Sequence, residues 1–123
     1  MGSLLIHDQE TCTESLNAVR DALYVLNGKW KMLVIVALST GPRRFKDIQR
    51  AVEGITPKVL SKELRELELN EFVERKVYNT IPVQITYELN PYSDSLKEII
   101  SALVIWGKQH REYISRKRKN ETT

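Results

Sequence analysis

The chain has 123 residues, which is enough for one compact domain and too few for two independent hydrophobic cores. Hydrophobic residues make up 41% and charged residues 28% of the sequence, which excludes wholesale disorder and a fibrous repeat. The formal net charge is +3, and residues 1–27 hold one base against four acids, so the basic charge is concentrated in the rest of the chain. This distribution is a weak first indication of a polyanionic partner.

The sequence has no feature typical of a membrane protein or an exported protein. Its longest apolar runs are far shorter than the roughly 20 residues that span a bilayer. The N-terminus lacks the basic segment of a signal peptide, and Ile6 stands where a myristoylation signal requires Ser or Thr. The single cysteine, Cys12, cannot form an intrachain disulfide, which agrees with a reducing compartment. We expect a cytoplasmic protein with no membrane partner.

Two helices are predicted before residue 41. Thr11 and Glu14 have the Ser/Thr-x-x-Glu spacing of a capping box, which predicts a first helix over about 12–26. The apolar residues of this helix lie on two sides, so it has more apolar surface than one core contact requires. A second helix, over about 30–40, is apolar nearly all round and is predicted to be the central buried helix.

The next two helices form a helix-turn-helix pattern. Residues 43–45 are predicted as a short extended stretch that leads into a third helix, which ends at Gly54. Thr56 and Pro57 are typical of an N-cap and a first helical position, so they predict the start of a fourth helix that extends to about Asn70. From residue 72 the apolar period changes from 3.6 to 2, which predicts a β-hairpin with its turn at 79–82.

The fourth helix has an apolar side and a basic side. Leu60, Leu64 and Leu67 form the stripe that should face the core. On the opposite side we define the outward stripe, which consists of Lys58, Ser61, Lys62 and Arg65. Lysine and arginine there can neutralise phosphates or donate to guanine, and a helix-turn-helix followed by a hairpin is the arrangement that places such a helix in the DNA major groove. The alternative is a solvated face balanced by the nearby Glu63, Glu66 and Glu68.

Several motifs resemble one known family in order and spacing. They are Gly28-Lys29-Trp30-Lys31, Arg44-Phe45, Gly54 through Ser61, Leu64 through Glu68, Val77-Tyr78 and Pro82 through Leu89. Over about 12–110 the chain resembles the HxlR family of bacterial transcriptional regulators, relatives of MarR. The resemblance implies a homodimeric winged-helix protein that binds operator DNA, with 56–68 as the recognition helix and 79–82 as the wing tip. The chain departs from the family pattern at Glu71 and Ser93, where Gly is usual, and at Val83, where a second wing proline is usual.

The predicted fold class is α+β, mainly α: a winged helix-turn-helix with N- and C-terminal dimerisation helices. We expect a single domain over 1–123. Its predicted parts are a flexible N-terminus (1–10), helices one and two (11–40), the DNA-binding helix-turn-helix and wing (41–90), a C-terminal dimerisation helix (93–118) and a tail (119–123).

Two sets of binding residues follow from these predictions. The predicted DNA-binding residues are Thr56, Pro57, Lys58, Ser61, Lys62, Arg65, Arg43, Asn79 and Thr80. The last helix has apolar residues over about 200° of its circumference, roughly twice what one core contact needs, so we expect a two-fold homodimer. The predicted interface residues are Leu16, Val19, Ala22, Leu96, Ile99, Leu103, Trp106 and His110. Such a dimer should bind a palindromic operator with half-sites about 34 Å apart.

No pattern of catalytic residues stands out, so the predicted protein is not an enzyme and needs no cofactor. His7 and His110 have no partner at metal-ligand spacing, which favours a surface His7, a partly packed His110 and no metal site. The main alternative function is a winged-helix protein–protein interaction module without DNA binding. RNA binding is a more distant alternative, because few aromatic residues on the hairpin could stack on bases.

Cys12 is a candidate redox sensor, because some members of the resembled family use an N-terminal cysteine in this way. As the first residue of a capped helix, its thiolate would be favoured by the helix dipole. The carboxylates of Glu10 and Glu14 oppose that effect, and a lone cysteine is often a small apolar filler. Both interpretations stay open, and the effector, whether an oxidant or a small molecule, is not identified by the sequence.

Overall fold

The computed structural model describes residues 9–121, and the elements of this part follow the predicted order. The helices are α1 (Gln9–Val25), α2 (Lys31–Leu38), α3 (Phe45–Ala51), α4 (Pro57–Leu69) and α5 (Lys97–Glu121), and the strands are β1 (Val73–Tyr78) and β2 (Gln84–Leu89). The predicted fold class, mainly α with a winged helix-turn-helix, is confirmed. Residues 1–8, which include His7 and most of the predicted N-terminal segment, and residues 122–123 lie outside the described part.

The start of α1 differs from the prediction. The helix already includes Gln9 and Glu10, so Thr11 is not its N-cap, and Cys12 is the fourth residue instead of the first. Gln and Glu are good helix formers, and they extend the helix past the predicted capping box. The predicted flexible segment is therefore helical at its last two residues, and Cys12 does not occupy the first helical position on which its predicted reactivity was based.

The last helix also begins and ends away from its predicted limits. A 3₁₀ turn at Pro91–Leu96 precedes α5, where the sequence suggested an α-helix from residue 93. α5 continues to Glu121, three residues into the predicted tail. Its end is rich in Lys and Arg, which are good helix formers and favourable near a helix C-terminus. Between residues 9 and 121, no helix is long and apolar enough to cross a membrane.

The hydrophobic core lies between residues 34 and 96. Its buried members are Val34, Ile35, Leu38, Ile48, Val52, Ile55, Leu60, Leu64, Leu67, Phe72, Val73 and Leu96. α2 packs against α3, α4 and β2 and is central, as predicted. It is not buried all round, however, because Leu33 and Val36 remain exposed on its other side.

The hairpin pairs β1 with β2 in antiparallel register, from Val73 opposite Leu89 to Tyr78 opposite Gln84. The predicted extended stretch before α3 adds one more bridge to this sheet. There the backbone N–H of Arg43 donates to the Tyr87 carbonyl at 3.0 Å, and the Tyr87 N–H donates back at 2.8 Å. The sheet thereby ties the start of the helix-turn-helix to the wing.

α4 ends in a Schellman motif that positions the wing behind it. The N–H of Phe72 donates to the Leu67 carbonyl, and the N–H of Glu71 donates to the Glu68 carbonyl, both at 3.0 Å. Glu71 has a φ of 65°, in the left-handed region that Gly adopts without strain. This geometry explains why glycine is usual at this position in the family that the chain resembles. Asn90 closes the junction by donating from Nδ2 to the Glu71 carbonyl at 3.2 Å.

Candidate nucleic-acid interface

The first turn of α4 is capped as the sequence predicts. Thr56 has extended backbone angles, and its Oγ1 accepts a hydrogen bond from the Val59 N–H at 3.2 Å. Pro57 occupies the first helical position, where its fixed φ suits a helix. Thr56, Pro57 and Lys58 are all exposed, so the positive end of the helix dipole is accessible to solvent.

The two sides of α4 differ in exposure as predicted. Leu60, Leu64 and Leu67 are buried in the core. All four residues of the outward stripe are exposed, and with Val59 they line one shallow groove. The structure therefore brings the two lysines, the serine and the arginine of the stripe together on one open surface.

The glutamates of α4 do not pair with the outward stripe. Glu63 Oε1 lies 2.8 Å and Glu66 Oε2 lies 2.6 Å from the ammonium nitrogen of Lys31 on α2. Among residues 9–121, no ion pair joins any carboxylate to a basic residue of the outward stripe. The basic side chains of the stripe are thus not engaged in ion pairs within this part of the chain, although one of them, Lys62, interacts electrostatically with Glu66.

The buried Lys31 is a feature of this region that the sequence-based prediction missed. Its side chain is only 2% exposed, and its Nζ also donates to Asn27 Oδ1 at 3.1 Å. A signal was present, because Lys31 stands three, four and seven residues before Val34, Ile35 and Leu38. A lysine on the buried stripe of an apolar helix requires a buried partner of opposite charge.

The carboxylates keep Lys31 charged despite its burial. Desolvation disfavours the ammonium, but hydrogen bonds and charge interactions with Glu63 and Glu66 outweigh it and raise the pKa of Lys31 above its ordinary 10.5. The hydrogen bond from Lys31 in turn lowers the pKa of Glu66 below its ordinary 4.5, against a smaller opposing effect of burial. Both groups are therefore ionised at neutral pH.

The predicted DNA contact Arg43 is half-buried, and it does not line the groove of the outward stripe. Three further basic residues, omitted from the sequence-based set, line a separate groove between α3 and β2: Arg44, Lys46 and Arg50. Arg44 and Arg50 each face Asp47, with N–O distances of 4.0 and 3.5 Å. These ion pairs are exposed and weak, so they leave the arginines accessible.

The predicted wing-tip residues Asn79 and Thr80 are exposed, and they lie in the connection between β1 and β2. The Thr80 hydroxyl donates to the Pro82 carbonyl at 2.7 Å, and the Thr80 N–H donates to the Tyr78 carbonyl at 2.8 Å. The turn is thus held by its own hydrogen bonds, while the Asn79 side chain is presented to solvent.

The residues predicted for a dimer interface are exposed with one exception. Leu16, Val19, Ala22, Ile99, Leu103, Trp106 and His110 are on the surface. The placement of Leu96 in the interface is wrong, because this residue is 6% exposed and belongs to the core. It ends the 3₁₀ turn, whose geometry directs it inward instead of along the surface of α5. His110, expected to be partly packed, is exposed and stacks on Trp106 with 4.8 Å between ring centroids.

A helix-turn-helix followed by a hairpin, with a basic second helix, defines a winged helix-turn-helix protein. The chain matches the family model of HxlR-like helix-turn-helix proteins over residues 25–115. It belongs to the HxlR-like helix-turn-helix family, which confirms the resemblance found in the sequence motifs. Cys12 and most of α1 lie outside the matched residues.

Individual relatives support this assignment. The chain is 39% identical to the HTH-type transcriptional regulator YtcD of Bacillus subtilis (strain 168) over 93 residues, which are 76% of this chain and 74% of YtcD. It resembles the solved structure of a MarR-family transcriptional regulator from Enterococcus faecalis V583, with a TM-score of 0.70, 31% identity, and coverage of 93% of this chain and 99% of that one. It also resembles the redox regulator HypR in its reduced form, with a TM-score of 0.74, 31% identity, and coverage of 80% and 98%.

Proposed function

We propose that this protein is a homodimeric transcriptional regulator that binds double-stranded operator DNA by placing α4 in the major groove. One observation supports the proposal above the others: the basic residues of the outward stripe are exposed and unpaired, while the two nearest glutamates of α4 are bound to Lys31. This separation leaves a positive surface on the helix that the fold presents to DNA.

Each predicted contact has a distinct role in this proposal. Arg65 reads a base, because a guanidinium can donate to guanine O6 and N7 together. Lys58 and Lys62 neutralise phosphates, and the exposed N-terminus of α4 at Thr56 and Pro57 adds the favourable end of its dipole. Ser61 bonds to either a base or the backbone. Arg43 and the wing-tip residues 79–80 contact the flanking backbone.

The proposed dimer covers the apolar surfaces of α1 and α5. Leu16, Val19 and Ala22 from α1 contribute to the interface. From α5 the contributing residues are Ile99, Leu103, Trp106 and His110. A two-fold axis between two copies would place both α4 helices in successive major grooves, about 34 Å apart, so the operator would be a palindrome.

The proposal is tested by fluorescence anisotropy over a range of salt concentrations, with duplex DNA from upstream of the protein's own gene. Arg65→Ala should cost about 1 to 3 kcal/mol and relax the preference at one base pair. Lys62→Ala should weaken binding to all sequences and reduce the salt dependence. Lys97→Ala, an exposed lysine outside the helix-turn-helix, is the matched control and should leave affinity unchanged.

Unchanged affinity in both α4 variants would contradict the DNA-binding role. It would favour the alternative, a winged-helix module that binds another protein. Binding without preference between the operator and scrambled DNA of the same length would contradict sequence-specific regulation.

We propose further that oxidants alter DNA binding through Cys12. The likeness to HypR, which is named a redox regulator, supports this proposal, and the partial exposure of Cys12 gives reagents access to its thiol. Operator binding is followed while wild type and Cys12→Ser are titrated with diamide. A loss of binding in wild type alone is expected. Equal responses in the two proteins would remove Cys12 from the mechanism.

A further inference from the structure

The flank of α4 between the outward stripe and the core carries a cluster of charged side chains. Lys31, Glu63 and Glu66 meet there, and the side chains of Lys31 and Glu63 are almost fully buried. Lys31 holds both glutamate side chains by direct contacts of 2.8 and 2.6 Å. This flank of α4 is thus tied to α2, whereas the outward stripe is open to solvent.

The cluster joins three consecutive parts of the fold through directional hydrogen bonds. The ammonium of Lys31 has three N–H donors, and it has three acceptors within 3.1 Å: Glu63 Oε1, Glu66 Oε2 and Asn27 Oδ1. Asn27 follows α1, and its Nδ2 donates to the carbonyl of Tyr24 in the last turn of that helix at 2.7 Å. A continuous chain of hydrogen bonds therefore runs from the end of α1 through α2 to α4.

Leucine contacts and ion pairs constrain a helix differently. The buried Leu60, Leu64 and Leu67 hold α4 against the core, but dispersion contacts are non-directional and tolerate a small rotation about the helix axis. The hydrogen bonds from Lys31 to Glu63 and Glu66 do not tolerate such a rotation, because a hydrogen bond weakens steeply when its angle or length changes. Buried ion pairs contribute little net stability after desolvation, and fixing one arrangement is a role that they can serve instead.

A small rotation would matter at the outer side. With side chains, a helix has a radius of roughly 5 to 6 Å, so a turn of about 20° displaces the outer side-chain atoms by roughly 2 Å. A bidentate contact to guanine does not survive a displacement of that size, whereas a contact to the diffuse charge of phosphates does. The orientation of α4 should therefore affect sequence discrimination more than general DNA affinity.

We propose that Lys31 is a positioning residue that fixes the rotation of α4 about its axis, and so determines how well the outward stripe discriminates between DNA sequences. This inference rests on the proposed DNA-binding function. Lys31 itself does not contact DNA in this proposal, and it acts entirely through Glu63 and Glu66.

The test uses a variant that removes the ion pair and keeps the volume of its side chains. Lys31→Met alone leaves the Glu63 carboxylate buried without a partner, which threatens folding. The double variant Lys31→Met/Glu63→Met replaces the two buried members of the cluster with flexible apolar side chains of similar size and leaves the partly exposed Glu66. Lys29→Met is the matched control. Lys29 precedes Lys31 by two residues, but its side chain is exposed and lies over the ring of Trp30.

The first measurement is the ratio of affinities for operator DNA and scrambled DNA of equal length. In the folded double variant the operator affinity should fall at least tenfold, while scrambled DNA is bound within about twofold of wild type. Lys29→Met should keep the wild-type ratio. An unchanged ratio in the double variant would overturn the positioning role, even if its thermal stability changes.

A second measurement is independent of DNA. Spin labels at Ser61→Cys and Lys97→Cys in a Cys12→Ser background, diluted with unlabelled protein, report the distance from α4 to the start of α5. The double variant should give a shifted or broader distance distribution, and an unchanged distribution would overturn the inference. If wild type fails to discriminate the operator while the distribution still changes, the proposed function fails and the positioning role stands.

Discussion

The body of the protein, residues 31–96, differs from the two terminal helices, α1 and α5, in how far its apolar residues are buried. Every buried hydrophobic residue of the core comes from the body. α5 has no buried residue, and α1 exposes Leu16, Val19 and Leu23. The body therefore supplies the buried core, whereas most apolar side chains of α1 and α5 are left exposed in the single chain. In our proposal a second copy of the chain covers them.

The largest effect is expected from a change in the body. Leu64→Ala removes a side chain that is 1% exposed in the core and should lower the free energy of unfolding by about 2 to 5 kcal/mol. Leu69→Ala is the control on the same helix, since Leu69 is 77% exposed and should cost less than about 0.5 kcal/mol. Urea denaturation followed by circular dichroism measures both. Equal losses in the two variants would show that the core is not where the structure places it.

A change in α5 should act on assembly instead. Leu103 is 53% exposed in the single chain, so Leu103→Asp should barely affect folding of the body. In a homodimer it would bury a charge, and dimer affinity should fall at least tenfold. Sedimentation at micromolar concentration measures the change, with Leu69→Asp as the matched exposed leucine outside the terminal helices. If wild type sediments as a monomer, the proposal that a second copy covers the apolar faces of α1 and α5 is contradicted.

The body was also the part that the sequence predicted best. The position of α4 could be predicted from two local signals. Leu60, Leu64 and Leu67 recur at the helical period because one side of α4 faces the core. Thr56 and Pro57 are typical of a helix start, which depends only on local geometry. The motif resemblance added the family, which periodicity alone could not supply. The start of α1 was predicted too late, because Gln9 and Glu10 are good helix formers and extend the helix past the capping pattern. The burial of Leu96 was missed, because the 3₁₀ turn before α5 changes the direction in which its side chain points.

The charged cluster at Lys31 could not be predicted with its partners. The partners Glu63 and Glu66 are more than 30 residues away along the chain, and local patterns carry no information on such a contact. Placing a lysine on the buried stripe of α2 was possible, but choosing its carboxylates required the packing of α2 against α4. The site residues on the outward stripe were easier to identify, because exposure on one helix follows from its own period.

A moderate effect is expected where α4 passes into the wing. Glu71 holds a φ of 65°, which costs a residue with a side chain roughly 1 kcal/mol relative to Gly. Glu71→Gly should therefore stabilise the body by up to about 1 kcal/mol, despite the added freedom of Gly in the unfolded chain. Glu74→Gly, in an extended strand, is the control and should destabilise. Thermal and urea unfolding measure both, and a destabilised Glu71→Gly would contradict the strain at this turn.

The smallest effect is expected at the ion pair that joins α2 to α4. The pKa of Glu66 is lowered in the folded protein by its hydrogen bond with Lys31, so its ionised form stabilises the fold above the unfolded pKa of about 4.5. That contribution is lost as the pH falls from about 4.5 through the lower folded pKa. The raised pKa of Lys31 has the opposite consequence. The ammonium of Lys31 stabilises the fold fully below its unfolded pKa of about 10.5, and this stabilisation is lost as the pH rises through its higher pKa in the folded protein.

Glu66→Gln should remove the acid part of this dependence. Between pH 6 and pH 3, the free energy of unfolding should fall less in Glu66→Gln than in wild type, and the difference should be modest because the Glu66 side chain is about one-third exposed. Glu68→Gln, two residues further along α4, is the matched control, because Lys31 pairs with Glu63 and Glu66 and not with Glu68. Urea denaturation at each pH gives the comparison. If the wild-type and Glu66→Gln profiles coincide, the ion pair between Glu66 and Lys31 does not stabilise the packing of α2 against α4.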